Sequence, residues 1–251
     1  MCLILLAYKI HPDYPFILAA NRDEYYQRPT MGAHWWQDRP TLLAGKDLQR
    51  GGTWLGLTRQ GRFAAITNVR EGRPHQPSPR SRGDLPLQFL DGTGNDASFI
   101  ERLNDSRAEY NGYNLLFGSI DKINYFSNRQ ADRTVLEPGL YGLSNAELDT
   151  PWPKVVTGKT ALAAVTANSE LSAVGIFSIL ESTATAPDYL LPDTGVGLSL
   201  ERQLSAICIS GTTYGTRSSC VLLIDRRNRV TFLEKERAPE RSPIKEYSFQ
   251  F

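Results

Sequence analysis

The feature that most constrains the fold is a set of short apolar runs, each of strand length, separated by tight turn signals. Cys2 to Tyr8 is apolar enough for a buried strand, and a turn around His11 to Pro15 leads into a second short strand, Phe16 to Ala20. The polar segment Asn21-Arg22-Asp23-Glu24 follows, and Arg28-Pro29 closes the extended run. Leu42 to Ala44, Thr53 to Leu57, Phe63 to Thr67, Tyr113 to Gly118 and Lys122 to Ser127 read the same way. So do Ser218 to Asp225 and Arg229 to Glu234. Connections this short join antiparallel neighbours, because parallel strands need long crossovers.

Helical spacing appears only in the middle of the chain. Leu85 to Leu90 and Ser98 to Leu103 predict short helices, and Lys154 to Thr166 and Leu171 to Glu181 predict longer ones. A Pro/Asp/Gly-rich loop from Ala186 to Gly197 leads to Leu204 to Ile209, and the residues from Arg237 read as a tail. Helices between blocks of strands imply helix layered on sheet. No internal repeat or linker stands out, so residues 1–251 are expected to form one domain.

Composition narrows the function classes. With 251 residues, 41% of them hydrophobic, and a net charge of +1, the chain can bury a substantial core and is not the disordered type. The charge balance argues against nucleic acid as a partner. Arg70 to Arg82 is locally basic and reads as a solvated loop or as an anion-contacting loop beside a pocket. No apolar run approaches a membrane span or a signal-peptide core. Three cysteines, Cys2, Cys208 and Cys220, fit a reducing, cytoplasmic setting, and they lack close metal-binding spacing. No nucleophile elbow, phosphate-binding loop or H-E-x-x-H occurs. His11, His34 and His75 fall in loop-like regions, so neither a metal nor a cofactor is expected.

Cys2 has two readings. It can be a buried apolar residue opening a strand. Alternatively, removal of Met1 gives it a free α-amine of pKa about 7.7–8.0, which can serve as base for its own thiol. In the proposed hairpin, the start of the first strand lies beside the end of the second, which brings Asn21 to Asp23 alongside. Asn68 and Asn145 are turn residues or oxyanion donors. Arg217 enters a core strand and could clamp an anion or a carbonyl oxygen. Trp54 reads as a core or pocket-wall residue.

Together, Met1-Cys2, Leu18 to Glu24, Arg28-Pro29, and Gly51-Gly52-Thr53-Trp54-Leu55-Gly56 resemble the NRDE, or transport and Golgi organisation protein 2, family. The resemblance continues through Ala65 to Asn68, Ser81 to Gly83, Tyr113 to Leu115, Gly142 to Asn145 and Tyr214 to Arg217. That family is similar to N-terminal cysteine hydrolases such as penicillin V acylase and bile salt hydrolase. The similarity implies an α+β fold, a four-layer α-β-β-α sandwich of two mostly antiparallel sheets. It also implies hydrolysis of a non-peptide C–N bond in a small or lipid-like substrate. Cys2, Asp23, Asn68, Asn145 and Arg217 then carry catalysis, with Asn21, Arg22 and Trp54 toward substrate. Ala20 departs from the acylase pattern, which has Arg there, although Arg22 lies one even step further along the strand. The alternative implied by the family is a carrier of haem or another apolar small molecule in the same pocket.

Overall fold

A computed structural model describes residues 3–72, 80–130, 133–168, 170–238 and 242–251. In chain order its first strands are β1 (Leu3–Tyr8), β2 (Phe16–Tyr25), β3 (Thr30–Trp36), β4 (Arg39–Asp47), β5 (Leu55–Thr58) and β6 (Phe63–Asn68). Helices α1 (Asp84–Asp91) and α2 (Asp96–Asp105) precede β7 (Tyr113–Ser119), β8 (Lys122–Ser127), β9 (Thr134–Val135) and β10 (Gly139–Leu143). Then come α3 (Pro153–Thr166), α4 (Ala173–Leu180) and α5 (Leu198–Leu204), followed by β11 (Tyr214–Ile224), β12 (Arg229–Glu236) and β13 (Lys245–Gln250).

The described residues fall into two compact units. The first draws on residues 1–27, 70–73 and 137–250. Its antiparallel sheet runs β10-β1-β2-β11-β12-β13. Alternate residues of the central strands (Leu3, Leu5, Ala7, Ile17, Ala19, Val221, Leu223) form one core with Val155 and Leu162 of α3 and Ile176, Phe177 and Leu180 of α4. Ile4, Leu6, Leu18, Ala20 and Leu222 on the intervening positions are buried too. Burial on both faces explains why these strands read as unbroken apolar runs rather than as alternation. Helix α3 lies close to β1 because position 158 has no side chain: a Cβ on Gly158 would fall 2.8 Å from Leu5 Cδ1.

The second unit, residues 28–69 and 74–136 with Phe251, carries the sheet β3-β4-β5-β6-β7-β8-β9. Helix α1 packs on β4 to β7. Phe89 of α1, Phe99 of α2 and Phe117 of β7 form a ring cluster with centroids 5.1 Å apart. Edge-on geometry of this kind adds about 0.5–1.5 kcal/mol per pair to simple burial.

The structure corrects several expectations. Strand β2 does not stop at Ala20; it continues through the N-R-D-E run to Tyr25, because β11 supplies a ladder as far as Tyr214↔Tyr25. The expected tail contains β13, paired along β12 from Arg229↔Gln250 to Glu234↔Lys245. Strands β3 and β10 and helix α5 form where no element was read, and α5 ends where Leu204 to Ile209 was expected to begin one. Of the basic stretch Arg70 to Arg82, residues 73–79 lie outside the described residues, while at its start Arg70 Nη1 donates to Glu201 at 2.7 Å, and Glu201 is 3% exposed. Thr194 donates to the other Glu201 oxygen through its backbone N–H and hydroxyl.

Candidate functional site around the start of β1

Strand register brings the expected site residues of the first unit to one end of its sheet. Leu3, the first described residue of β1, pairs with Asn21 of β2. On the other side, Ile4 pairs with Leu143, the last residue of β10, after which Ser144 and Asn145 follow directly. The start of β1 is thus flanked by the N-R-D-E segment on one strand and by the Ser144-Asn145 segment on the other. Cys2 lies outside the described residues.

The N-R-D-E residues divide by strand alternation. Asn21 is fully buried on the helix side. Its Nδ2 donates to the Leu180 carbonyl at 3.0 Å and the Ile207 carbonyl at 2.8 Å. Its Oδ1 accepts from Ser219 Oγ at 2.5 Å. The amide expected toward substrate therefore ties β2 to the end of α4 and to the segment after α5. Asp23, 4% exposed, accepts from Thr216 Oγ1 at 2.6 Å, and Thr216 Oγ1 in turn accepts from the Ile209 N–H at 2.9 Å. The carboxylate is held from β11 and cannot swing freely.

Arg22 belongs to the alternate set. It is 4% exposed, and its Nη2 lies 3.7 Å from Glu24 Oε2. Cys220, the β11 partner of Ala20, feels its charge. Burial and the neighbouring Glu234 carboxylate push the Cys220 thiol well up, and the Arg22 guanidinium pulls the other way. Arg22 thus sits within electrostatic reach of the position opposite Ala20. Cys220 Sγ is also 3.7 Å from Glu234 Oε1, and Glu234 is 1% exposed. A buried carboxylate beside a neutral thiol and an arginine is a costly arrangement that the charges themselves must offset.

Asn145 is 5% exposed. Its backbone carbonyl accepts from Arg70 N–H at 2.8 Å, which fixes the segment as it leaves the sheet. Arg217 sits at an irregularity in β11, where the register to β2 shifts between Thr216 and Ser218. Its guanidinium donates to the Tyr25 carbonyl and the Ala238 carbonyl, each at 3.1 Å. It does clamp carbonyl oxygens, but these belong to the chain's own backbone.

Two expected site residues belong to the second unit. Asn68 closes β6 opposite Tyr113, beside a buried set in which Asn114 Nδ2 donates to Thr67 Oγ1 at 3.2 Å and Tyr125 donates to Asn114 Oδ1 at 3.0 Å. Trp54, 6% exposed, lies over Gly45, where a Cβ would meet its ring at 2.3 Å. It packs as a core residue. The glycine block has a related logic: a Cβ on Gly52 would fall 2.5 Å from the Gly83 carbonyl carbon, and Thr53 N–H donates to Gly83 O at 3.0 Å. The G-G-T-W and S-R-G segments therefore meet backbone to backbone.

Of the remaining histidines and cysteines, His11 caps the β1–β2 turn by accepting from the Asp13 and Tyr14 N–H groups, and His75 lies outside the described residues. Neither Cys208 nor Cys220 is in a disulfide. Among the described residues no helix is long and apolar enough to cross a membrane. Sequence reasoning missed Thr216 and Ser219 as partners of the N-R-D-E run. Thr216 lay within the quoted Tyr214 to Arg217 block, but only the β2–β11 register reveals what it touches.

Comparison with solved structures places the fold. The chain matches a Caenorhabditis elegans N-acylethanolamine-hydrolyzing acid amidase ortholog with a TM-score of 0.53 at 9% identity, covering 88% of this chain and 92% of that one. It matches the C2A mutant of conjugated bile acid hydrolase from Clostridium perfringens with a TM-score of 0.56 at 8% identity, covering 100% and 97%. The mixed α+β architecture of two antiparallel sheets with helices is shared with these proteins. In sequence, the chain is 37% identical to the human Transport and Golgi organization protein 2 homolog over 257 residues, covering 94% of this chain and 92% of that protein. The bovine homolog is 36% identical at the same coverage, and the Drosophila melanogaster protein 27%. Residues 1–239 match the family described as Transport and Golgi organisation 2. The chain belongs to the Transport and Golgi organisation 2 family.

Proposed function

We propose that this protein is an N-terminal cysteine amidohydrolase acting on a non-peptide C–N bond of a small or lipid-like substrate. One observation carries the reading: β1 begins between the N-R-D-E end of β2 and the Ser144-Asn145 end of β10. The residue bonded to Leu3 is Cys2. A thiol there, once Met1 is removed, has Asp23, Arg22 and Asn145 on the flanking strand ends. The fold adds support, since the solved proteins that share it are named as an amidase and a bile acid hydrolase.

In this mechanism Cys2 Sγ attacks the amide carbonyl carbon, and the α-amine of Cys2 takes the thiol proton. Asn145 donates to the oxyanion of the tetrahedral intermediate, a contribution worth about 3–4 kcal/mol where such donors have been removed. The α-ammonium returns its proton to the leaving nitrogen as the C–N bond breaks, leaving a thioester. Water, deprotonated by the same amine, attacks the thioester and releases a carboxylic acid and the thiol. Asp23, fixed by Thr216, holds the α-ammonium in place. Arg22 orients the substrate in place of the guanidinium missing at Ala20. Arg217 braces the Asp23 end of β2 through its hydrogen bond to the Tyr25 carbonyl.

The test is release of amine from a panel of acyl amides of graded chain length by the purified full chain. Wild type is expected to turn over at least one class, with Cys2→Ala inactive and Asp23→Asn lowered in kcat while remaining folded. Turnover unchanged in Cys2→Ala overturns the assignment. Stoichiometric binding of haem or an apolar ligand with no amine release, unaffected by Cys2→Ala, replaces it with a carrier role.

A further inference from the structure

A cavity of about 300 Å³ lies within the first unit, where β11 and β12 leave the sheet. Its inner wall is Thr216, Cys208 and Ile209, and Tyr26 and Ala238 add apolar surface. Glu181, Lys235 and Arg237 supply the charge, with the hydroxyls of Thr183 and Ser210 at the rim. Of these residues only Thr216 serves the hydrolysis proposed above, through its hydrogen bond to Asp23.

The charges are arranged unevenly. Lys235 Nζ and Arg237 Nη1 share a single acceptor, Glu181 Oε1, at 2.9 and 3.2 Å. Glu236 is matched by Lys245 at 3.1 Å. Among the described lining residues, two cations against one remaining carboxylate leave a surplus of one positive charge. Arg237 Nε donates to Ser219, but Arg237 Nη2 is buried and has no acceptor among the described residues. A buried guanidinium N–H without an acceptor costs about 1–3 kcal/mol, which an incoming acceptor would recover.

We propose that this cavity binds a small monocarboxylate, its carboxylate taken by Arg237 and Lys235 and its short apolar part seated against Tyr26, Ile209 and Ala238. A single surplus charge suits a monoanion better than a dianion, which would also face the Glu181 and Glu236 carboxylates. At the ~30 Å³ that a water molecule occupies in the liquid, 300 Å³ holds about ten heavy atoms, enough for an acid of medium chain length. Burial raises the Cys208 thiol above its ordinary range despite Arg237 nearby, so at neutral pH the wall presents a neutral thiol rather than a second anion.

Cys208 also gives the test its readout. The full chain is alkylated with neutral iodoacetamide, and the rate at Cys208 is followed by peptide mass spectrometry in the presence of butyrate, hexanoate, hexanamide or inorganic phosphate. Hexanoate is expected to protect Cys208 saturably and butyrate more weakly, while hexanamide and phosphate at equal concentration leave the rate unchanged. Arg237→Gln is expected to raise the protecting concentration by ~tenfold or more, the scale of one charge-assisted hydrogen bond. Lys235→Gln, which leaves the Arg237–Ser219 contact intact, is expected to raise it less and covers the case in which Arg237→Gln fails to fold. Protection by hexanamide or phosphate equal to that by hexanoate overturns the proposal. So does absence of saturable protection, or an unchanged midpoint in folded variants.

Discussion

Replacing Asn21 by alanine removes the side chain that joins three parts of the first unit. The Leu180 and Ile207 carbonyls lose their donor and the Ser219 hydroxyl loses its acceptor, all inside the protein. Asn21→Ala is therefore expected to lower unfolding stability by roughly 2–4 kcal/mol, read from urea denaturation. Asn21→Asp is expected to cost more, because a carboxylate would face two carbonyl oxygens. A change within 0.5 kcal/mol for both variants would contradict the clamp. The residue scale also yields a pH prediction. Hydrogen bonds from Lys235, and then from Arg237, hold the Glu181 carboxyl below its ordinary value of 4.5. A depressed carboxyl contributes stability above its unfolded pKa and loses it as pH falls through the folded one. The cost of Glu181→Gln, under about 1 kcal/mol for so exposed a pair, is expected at pH 7 and should vanish as pH falls below that lowered value. Denaturation midpoints at both pH values check this. At this scale the sequence made the N-R-D-E run conspicuous but could not divide it. Asn21 and Asp23 were separable from Arg22 only by alternation, and alternation needs the strand to continue past Ala20.

The elements explain where legibility stopped. Strands β1, β2, β5 to β8, β11 and β12 were readable because their apolar runs are buried and end in turn residues, and α3 and α4 carry apolar residues at helical spacing. Strand β10 was not: Gly139-Leu140-Tyr141-Gly142-Leu143 has two glycines and owes its conformation to pairing with β1. Strand β13 is an edge strand with exposed alternate residues, and its extension comes from β12. Its contribution is testable. Truncation before Lys245 removes the ladder along Arg229 to Glu234 and the packing of Tyr247 on Phe232. The shortened chain exposes the backbone donors and acceptors of β12, a template for pairing with another chain. A lower denaturation midpoint and concentration-dependent association, seen by light scattering, are expected. A monodisperse truncation of unchanged midpoint would mean that β13 neither stabilises nor protects the sheet.

At the scale of the whole molecule, one family match runs from residue 1 to residue 239 and so draws on both compact units. The blocks that carry the resemblance serve two purposes. Gly51 to Gly56 and Ser81 to Gly83 hold backbone segments of the second unit together, and Thr67 and Asn114 satisfy each other inside it. Leu18 to Glu24, Gly142 to Asn145 and Tyr214 to Arg217 instead gather at the end of the first sheet where β1 begins. That convergence depends on strand register, which no pattern of residue types specifies. The central claim is that a mature Cys2 at this point is an acylating nucleophile. Intact mass spectrometry of the purified full chain, before and after exposure to acyl amides, tests it most directly. The account predicts a chain lacking Met1 that gains one acyl group in wild type and none in Cys2→Ala. A chain that retains Met1, or an adduct that persists in Cys2→Ala, would contradict it.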